Sequence, residues 1–574
     1  MYRVAKRTVF TLALLFGTLA SAQVAPVTPT PAISPAQTIL AHNGVVVAQE
    51  QRAARIGVEI LDRGGNAVDA AVAVGFALAV TYPRAGNIGG GGFMLIHLAK
   101  DNRDVAVDYR ETAPAAATAT MFLDAQGNPD PAKSRDSALA IGVPGTVAGL
   151  ALAHEKYGSG KLTFADLIEP AITLARNGVE ILDDTADSLP LAQERIARWR
   201  SSAPVFLNSD GSVLSPGQDL LQPDLAATLN VIARDGPKGF YEGPVAEKIV
   251  AAVRKAGGIM TVDDLKNYHA ILRMPVRGTY RGYEIISMPP PSSGGVHLIE
   301  MLNILEGYDL GKLSREDSLH DMIEAMKRAY ADRAVFMGDP DAVTMPVAGL
   351  ISKAYAKSLR AQIGERATPS AKIRGGTPAD FEGRNTTHFS VIDRDGNAVS
   401  NTYTLNFSYG LGLVAEGTGV LLNNELDDFT AKPGTANAFG LVGYNANLPG
   451  PGKRPLSSMT PTIVMKDGKP FLVTGSPGGS RIITTVLQVI VNAIDFNMPI
   501  GKAVSEPRVH QQWQPAQVYV EPGFAPEVLE ALAKRGHEIV PTPAQTSANS
   551  IEVTADGYVG AADRRTRGSL AAGF

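Results

Sequence analysis

Thr386-Thr387-His388-Phe389-Ser390-Val391-Ile392-Asp393-Arg394-Asp395-Gly396-Asn397-Ala398-Val399-Ser400-Asn401-Thr402-Tyr403-Thr404-Leu405-Asn406 reads as two strands folded about an Asp-Gly turn. Both flanks follow the period of 2 that gives a strand two distinct faces. Arg394-Asp395-Gly396-Asn397 carries the turn, because glycine enters the left-handed region at no steric cost. If Gly396 is the left-handed residue of a three-residue turn with a bulge, Asp393 pairs with Asn397 and Thr386 lies opposite Thr404. A two-residue turn shifts the register by one and makes Thr404 a diagonal neighbour. In both cases two threonine hydroxyls and the Asn406 amide gather at the open end of the hairpin. Two more Asp-Gly turns follow, Lys466-Asp467-Gly468-Lys469 between 462–465 and 471–474, and Ala555-Asp556-Gly557 between 550–554 and 558–561. Together they predict an antiparallel sheet, and the apolar stretch 481–494 predicts a helix over one of its faces.

Upstream the chain reads differently. Residues 41 to about 380 are largely helical in pattern, with helices expected at 45–61, around 144–176, 220–256, 296–306 and 316–336. Arg63-Gly64-Gly65-Asn66 is a helix stop and turn, and 69–80 is apolar all round, the mark of a buried helix. Gly86-Asn87-Ile88-Gly89-Gly90-Gly91-Gly92 lacks the spacing of a dinucleotide loop and runs into a strand, so it predicts a tight turn with close backbone packing. The charged, glycine-bearing segment 365–385 reads as an exposed linker. The expected architecture is α plus antiparallel β, layered.

The chain has 574 residues, 45% hydrophobic and 19% charged, with Gly 58, Pro 38 and no cysteine. That is enough apolar content for a large core, and the excess of turn formers points to tightly turned loops. The absence of cysteine excludes disulfides, thiol nucleophiles and cysteine-based metal sites. A net charge of −4 carries no basic footprint for nucleic acid. Arg3, Lys6 and Arg7, then the apolar 8–19 and Ala20-Ser21-Ala22 before Gln23, have the form of a cleaved signal peptide over 1–22. A Pro-rich leader follows within 23–40. Export to the periplasm without a stable membrane anchor is the expectation. The histidines are scattered, so no metal site is expected, and neither a serine-hydrolase elbow nor a phosphate-binding Walker loop is present.

Three further segments carry chemistry-bearing groups. In Val473-Thr474-Gly475-Ser476-Pro477-Gly478-Gly479-Ser480 a strand meets a helix through two glycines, whose N–H groups can hold a developing oxyanion; the alternative is a glycine turn capped by Ser480. Leu421-Leu422-Asn423-Asn424-Glu425-Leu426-Asp427-Asp428-Phe429 offers carboxylates for an ammonium group. Arg454-Pro455-Leu456-Ser457-Ser458-Met459 offers hydroxyls for a carboxylate.

With the Thr386 hairpin, these segments resemble the small subunit of γ-glutamyltransferases. Gly64-Gly65-Asn66-Ala67-Val68-Asp69-Ala70-Ala71, Gly89-Gly90-Gly91-Gly92-Phe93, Asp108-Tyr109-Arg110-Glu111 and Met288-Pro289-Pro290-Pro291-Ser292-Ser293-Gly294-Gly295 resemble the large subunit, so the likeness covers nearly the whole mature chain. The resemblance implies an N-terminal-nucleophile hydrolase, a four-layer α/β/β/α sandwich built from two chains of one precursor, 41–385 and 386–574, cut between Asn385 and Thr386. It implies Thr386 as nucleophile, with its freed α-amino group as base, and Thr404 bonded to it. It also implies Gly478 and Gly479 as the oxyanion hole. Arg110, Ser457 and Ser458 would hold the α-carboxylate of a γ-glutamyl group, and Asn406, Glu425 and Asp428 its ammonium. The segment 433–455 matches the family's lid, with Phe439 where a tyrosine is often found, so closure is expected to be looser. No cofactor is implied. The substrates implied are glutathione and other γ-glutamyl amides, passed to water or to an amino acceptor. A member turned to β-lactam side chains, which binds glutaryl groups without the ammonium, is the alternative, and an unprocessed periplasmic binding protein is the non-enzymatic one.

Overall fold

The hairpin forms in the three-residue register. Thr387 pairs with Tyr403 and Ile392 with Ala398, the Asp393 N–H donates to the Asn397 carbonyl at 3.1 Å, and Gly396 has φ 83°. Asp393 ties the turn down: Oδ1 accepts from the Asp395 and Asn397 N–H groups, and Oδ2 accepts from the Ala67 N–H at 2.8 Å. That last bond joins the turn to the buried helix Ala67–Thr81, whose N-terminus Asn66 and Asp69 close with a capping box. The structure, a computed structural model, describes residues 33–373 and 386–574. The expected signal peptide, most of the leader, the end of the linker and Asn385 lie outside the described residues.

Two antiparallel sheets of seven strands make the centre. In the first, the order is Leu570–Gly573, Gly44–Ala48, Thr387–Asp393, Ala398–Thr404, Gly91–Leu98, Arg103–Tyr109 and Ile271–Arg273. In the second it is Gln37–Ala41, Gly557–Ala562, Ser550–Thr554, Lys469–Thr474, Thr462–Lys466, Tyr283–Ser287 and Val276–Tyr280. Alternation along each strand sends successive side chains into different cores. Val46, Met94, Ile96, Phe389, Val391 and Val399 meet the helices Gln51–Asp62, Ala67–Thr81, Thr146–Tyr157 and Phe164–Asn177. Their neighbours Val45, Val47, Phe93, Leu95 and Ile392 face Ile463, Val473 and Ile551 of the second sheet. Val464 and Leu472 turn outward onto Gly294–Leu305, Arg315–Phe336 and Arg481–Ile494. Three stacked cores between helix, sheet, sheet and helix make a four-layer α/β/β/α sandwich, the architecture the resemblance implies.

The expectation of a largely helical portion up to about 380 is corrected. Six of the strands named above lie between residues 44 and 287, and both sheets draw on both portions of the chain. The expected helix over 45–61 is a strand, Gly44–Ala48, followed by a helix from Gln51 capped by Glu50. Val45-Val46-Val47 is β-branched and buried on both faces, a composition that suits a central strand but shows no alternation to reveal it.

The pairing sets one row across four strands, Thr387 opposite Tyr403, Tyr403 opposite Gly92 and Gly92 opposite Tyr109. One residue further along Thr404 pairs with Gly91, and Thr386 and Arg110 are the residues that adjoin the flanking pairs. The glycine run is the close-packed turn its spacing predicts. A Cβ on Gly90 would stand 2.1 Å from the Thr404 carbonyl oxygen, and one on Gly91 2.4 Å from that of Tyr109. Gly90→Ala should therefore push the strand carrying Thr404 away and cost about 1–3 kcal/mol of stability, the usual range for overpacking. The urea midpoint measures it, and an unchanged midpoint would refute the close approach.

Candidate active site

Arg110, Thr386, Thr404, Asn406, Glu425, Asp428, Phe439, Ser457, Ser458 and Gly479 line one small cavity of about 20 Å³. It sits at the end of the layer between the sheets, since Met459 and Ile482 of that core also wall it. Gly478 lines the neighbouring cavity. Apart from Asn385, which is not among the described residues, every residue singled out in the sequence lies at or beside one point.

Each is held by short-range geometry. Thr386 and Thr404 close the hairpin, and Asn406 takes the left-handed conformation (φ 73°) that asparagine tolerates. The Asn406 N–H donates to Thr404 Oγ1 at 2.9 Å, and its amide Nδ2 to the Asn424 carbonyl at 2.9 Å. Asn423 Oδ1 accepts from the Gly142 and Glu425 N–H groups, fixing the start of the acidic turn. Within that turn Glu425 and Asp428 face the cavity, whereas Asp427 turns away to accept from Ser134 Oγ. His388, two residues from Thr386, has its ring nitrogens engaged by Thr402 and Ser390 Oγ. Burial holds its pKa down to about 3, so it is a neutral packing residue.

The charges around Arg110 are the dominant electrostatic feature. Its guanidinium donates to Glu425 Oε1, to Asp428 Oδ2 at 2.6 Å and to the Pro455 carbonyl at 3.1 Å, and Glu111 Oε2 stands 3.7 Å away. Burial raises all three carboxyl groups, Glu111 to about 8, against the attraction of Arg110. Neither Glu111 oxygen has a hydrogen-bond partner among the described residues. The predicted carboxylate binder and ammonium binders thus pair with one another.

At the diglycine, Gly478 and Gly479 adopt φ 130° and 56°. Among the described residues neither N–H has a backbone acceptor. Ser480 does not cap the following helix with its side chain. Phe439, at the tip of the hairpin pairing Thr435–Ala436 with Val442–Gly443, stacks on Phe407 with ring centroids 5.3 Å apart. Its carbonyl accepts from Gln512 Nε2 at 3.0 Å, so a backbone bond and a ring stack tie this segment where a side-chain hydroxyl is absent.

A γ-glutamyltranspeptidase sequence profile matches residues 53–573. The chain belongs to the γ-glutamyltranspeptidase family. It is 50% identical to the glutathione hydrolase proenzyme of Escherichia coli (strain K12), over 99% of both chains. It is 40% identical to the acylase ACY 1 proenzyme of Pseudomonas sp. (strain V22), over 92% of this chain and 93% of that one. Among solved structures, cephalosporin acylase from Bacillus halodurans superposes with a TM-score of 0.82 at 28% identity, covering 96% of this chain and 99% of that one. Helicobacter pylori γ-glutamyltranspeptidase superposes with 0.56 at 48% identity, covering 61% and 97%.

Two site residues have no counterpart in the sequence reading. Arg333, buried in the helix Arg315–Phe336, donates to Ser458 Oγ at 3.0 Å and to Ser293 Oγ at 2.9 Å. Burial pulls its pKa down to about 10, and no carboxylate lies in ion-pair range of it among the described residues. Nothing local in the sequence marks it, since a basic residue in a long amphipathic helix reads as solvated. Glu111 stands within a quoted family block but carries no role there. The Pro-Pro-Pro-Ser-Ser-Gly-Gly run also finds its use here. Ser292 bridges to Ser457, Ser293 Oγ donates to the Ser457 carbonyl at 2.8 Å, and a Cβ on Gly294 would stand 2.3 Å from Thr460 Oγ1. The run is the mould for the Ser457-Ser458 loop.

Proposed function

We propose that this chain is a precursor that cuts itself between Asn385 and Thr386 and then moves γ-glutamyl groups from glutathione-like amides onto Thr386 Oγ, and from there to water or an amino acceptor. The observation that carries this is the convergence of Thr386, one guanidinium, two carboxylates, two serine hydroxyls and the diglycine N–H groups on one cavity. In maturation Thr386 Oγ attacks the Asn385 carbonyl carbon, the peptide nitrogen leaves as the new α-amino group, and water hydrolyses the resulting ester. That amine has an ordinary pKa of ~7.7–8.0, so near neutral pH it takes the proton of the adjacent hydroxyl. The oxyanion formed at the substrate carbonyl lies against the Gly478 and Gly479 N–H groups. The departing amine takes back the proton, and a water or second amine releases the glutamyl ester by the reverse steps.

The Arg110 cluster suits a zwitterionic head. The α-carboxylate of a γ-glutamyl group engages Arg110, with Ser457 and Ser458 beside it. The ammonium takes over Glu425 and Asp428, so the two internal ion pairs of Arg110 with these carboxylates are exchanged for pairs with substrate. Arg110→Lys keeps the charge but loses the planar fork. KM for γ-glutamyl donors should rise roughly ten- to hundred-fold, the worth of a charged hydrogen bond, with self-cutting intact. Unchanged KM would remove Arg110 from the site.

The cephalosporin acylase likeness favours a second reading, acylation chemistry on glutaryl groups. The carboxylates Glu425 and Asp428 weigh against it, because a glutaryl group brings no ammonium to them. Residues 1–22 support export to the periplasm, and no helix among the described residues is long and apolar enough to cross a membrane. A denaturing gel with N-terminal sequencing tests maturation. At roughly 105 Da per residue, from 60.4 kDa for the whole chain, residues 23–385 and 386–574 should run at about 38 and 20 kDa, the smaller beginning at Thr386. Turnover of glutathione against a glutaryl amide separates the two readings.

A further inference from the structure

Behind the Ser457-Ser458 loop lies a guanidinium that divides its fork between two hydroxyls. Arg333 Nε donates to Ser293 Oγ at 2.9 Å and Nη2 to Ser458 Oγ at 3.0 Å. Ser293 passes the order on, because its one hydroxyl proton goes to the Ser457 carbonyl at 2.8 Å. That carbonyl also accepts from the Ser293 N–H at 2.9 Å, and the Ser457 N–H donates to the Pro291 carbonyl at 2.9 Å. A guanidinium only donates. Ser458 Oγ therefore meets Arg333 with a lone pair, and the Ser458 proton points away from it. Ser458 lines the nucleophile's cavity, and Arg333 stands behind Ser458. The helix that carries Arg333 is pinned three residues earlier, where the Tyr330 hydroxyl donates to the Ser480 carbonyl beside the diglycine. The guanidinium thus has a fixed root.

Burying a cation is costly unless an opposite charge compensates it. Arg333 is buried, yet among the described residues its hydrogen bonds go to neutral hydroxyls. Asp428 attracts it only from a distance, and Arg110 repels it. Arg110, by contrast, shares its charge between Glu425 and Asp428. A cation that its own chain leaves without a counter-ion, one hydroxyl away from a cavity, suits an anion brought by the substrate. We propose that Arg333 is the positioning residue of the carboxylate end of the site: anchored on Ser293, it keeps the Ser458 hydroxyl turned to the cavity as a donor and sets a second positive charge behind it. The inference rests on the γ-glutamyl reading and deepens it, since it makes the site select donors with a free α-carboxylate.

The test compares two donors on the mature protein, a γ-glutamyl anilide and the same anilide with its α-carboxylate converted to an amide. In Arg333→Met, uncharged and of similar length, KM for the first should rise about ten-fold or more, the worth of a charge-assisted bond, while kcat holds. The second donor should be little affected, so the ratio of kcat/KM for the two falls. Arg333→Lys should restore part of it. If Arg333 acts through Ser458, the losses in this ratio from Arg333→Met and Ser458→Ala should fall short of adding in the double variant. A constant ratio overturns the proposal even if both rates drop, because loosened helix packing slows both donors alike, and so do losses that add in full. Should Arg333→Met fail to mature, Ser293→Ala decides. Without that acceptor Arg333 no longer fixes Ser458, and the ratio should fall about three-fold; an unchanged ratio overturns the proposal. If the unmodified protein turns over neither donor, the γ-glutamyl reading itself falls. Equal use of both donors overturns the proposal and leaves the transfer chemistry standing.

Discussion

Thr386→Ala should leave one uncut chain of about 58 kDa after export, with turnover at background. On the proposed reading the same hydroxyl serves twice, first against the Asn385 carbonyl and then against the substrate. Losing the nucleophile of such an enzyme costs on the order of 10⁶ in kcat. The proposed oxyanion donors at Gly478 and Gly479 should not compensate, because they would stabilise charge that forms only after attack. Thr386→Ser keeps an attacking oxygen and should still mature, more slowly, into two chains. The pair of variants separates nucleophile loss from a packing defect, since Thr386 is buried and serine also leaves part of that space empty. Two chains on a denaturing gel from Thr386→Ala would refute the assignment, as would a small chain beginning at any other residue.

Asp428→Asn should collapse the preference for γ-glutamyl over glutaryl amides. For a γ-glutamyl donor the substitution leaves a desolvated ammonium with one carboxylate in place of two. Truncating such a pair costs ~2–5 kcal/mol, roughly 30-fold to several thousand-fold in kcat/KM. For a glutaryl amide the change should be neutral or favourable. Asp428 is not idle without an ammonium, because its Oδ2 holds Arg110 Nη2 at 2.6 Å. It therefore competes with the glutaryl carboxylate for the same guanidinium, and a neutral asparagine competes less. Asparagine keeps the shape and can still bond to Asn437, whose Nδ2 meets Asp428 Oδ1 at 3.2 Å, so the lid contact should survive. The decisive quantity is the ratio of kcat/KM for the two substrates in both proteins. A constant ratio would show that Asp428 does not read the ammonium, and would favour the acylase reading.

The local parts of this site are written in the sequence. The turn at Gly396 admits few geometries, and in either register a strand's period of 2 gathers Thr386, Thr404 and Asn406 at the open end of the hairpin; the structure selects the three-residue one. The apolar stretch 70–80 reads as a buried helix, and Gly478-Gly479 before a helix reads as a glycine turn, whether its donors serve an oxyanion or the turn is capped by Ser480. Bonds that close over a few residues depend on local φ, ψ and side-chain chemistry, which residue types state directly. What the tertiary structure decided is longer in range. Thr404 faces Gly91 and Gly92 faces Tyr109, so Arg110 joins the nucleophile's row from nearly 300 residues away. That register depends on packing three cores at once, and a one-residue slip would leave the local pattern equally satisfied. Val45-Val46-Val47 has no alternation to betray its strand, because both its faces are buried. Arg333 reaches Ser458 from a helix whose place against the second sheet no local motif records. The ion pair of Arg110 with Asp428 joins two groups that the sequence assigns to opposite ends of a substrate, and only their shared burial beside one cavity brings them into contact.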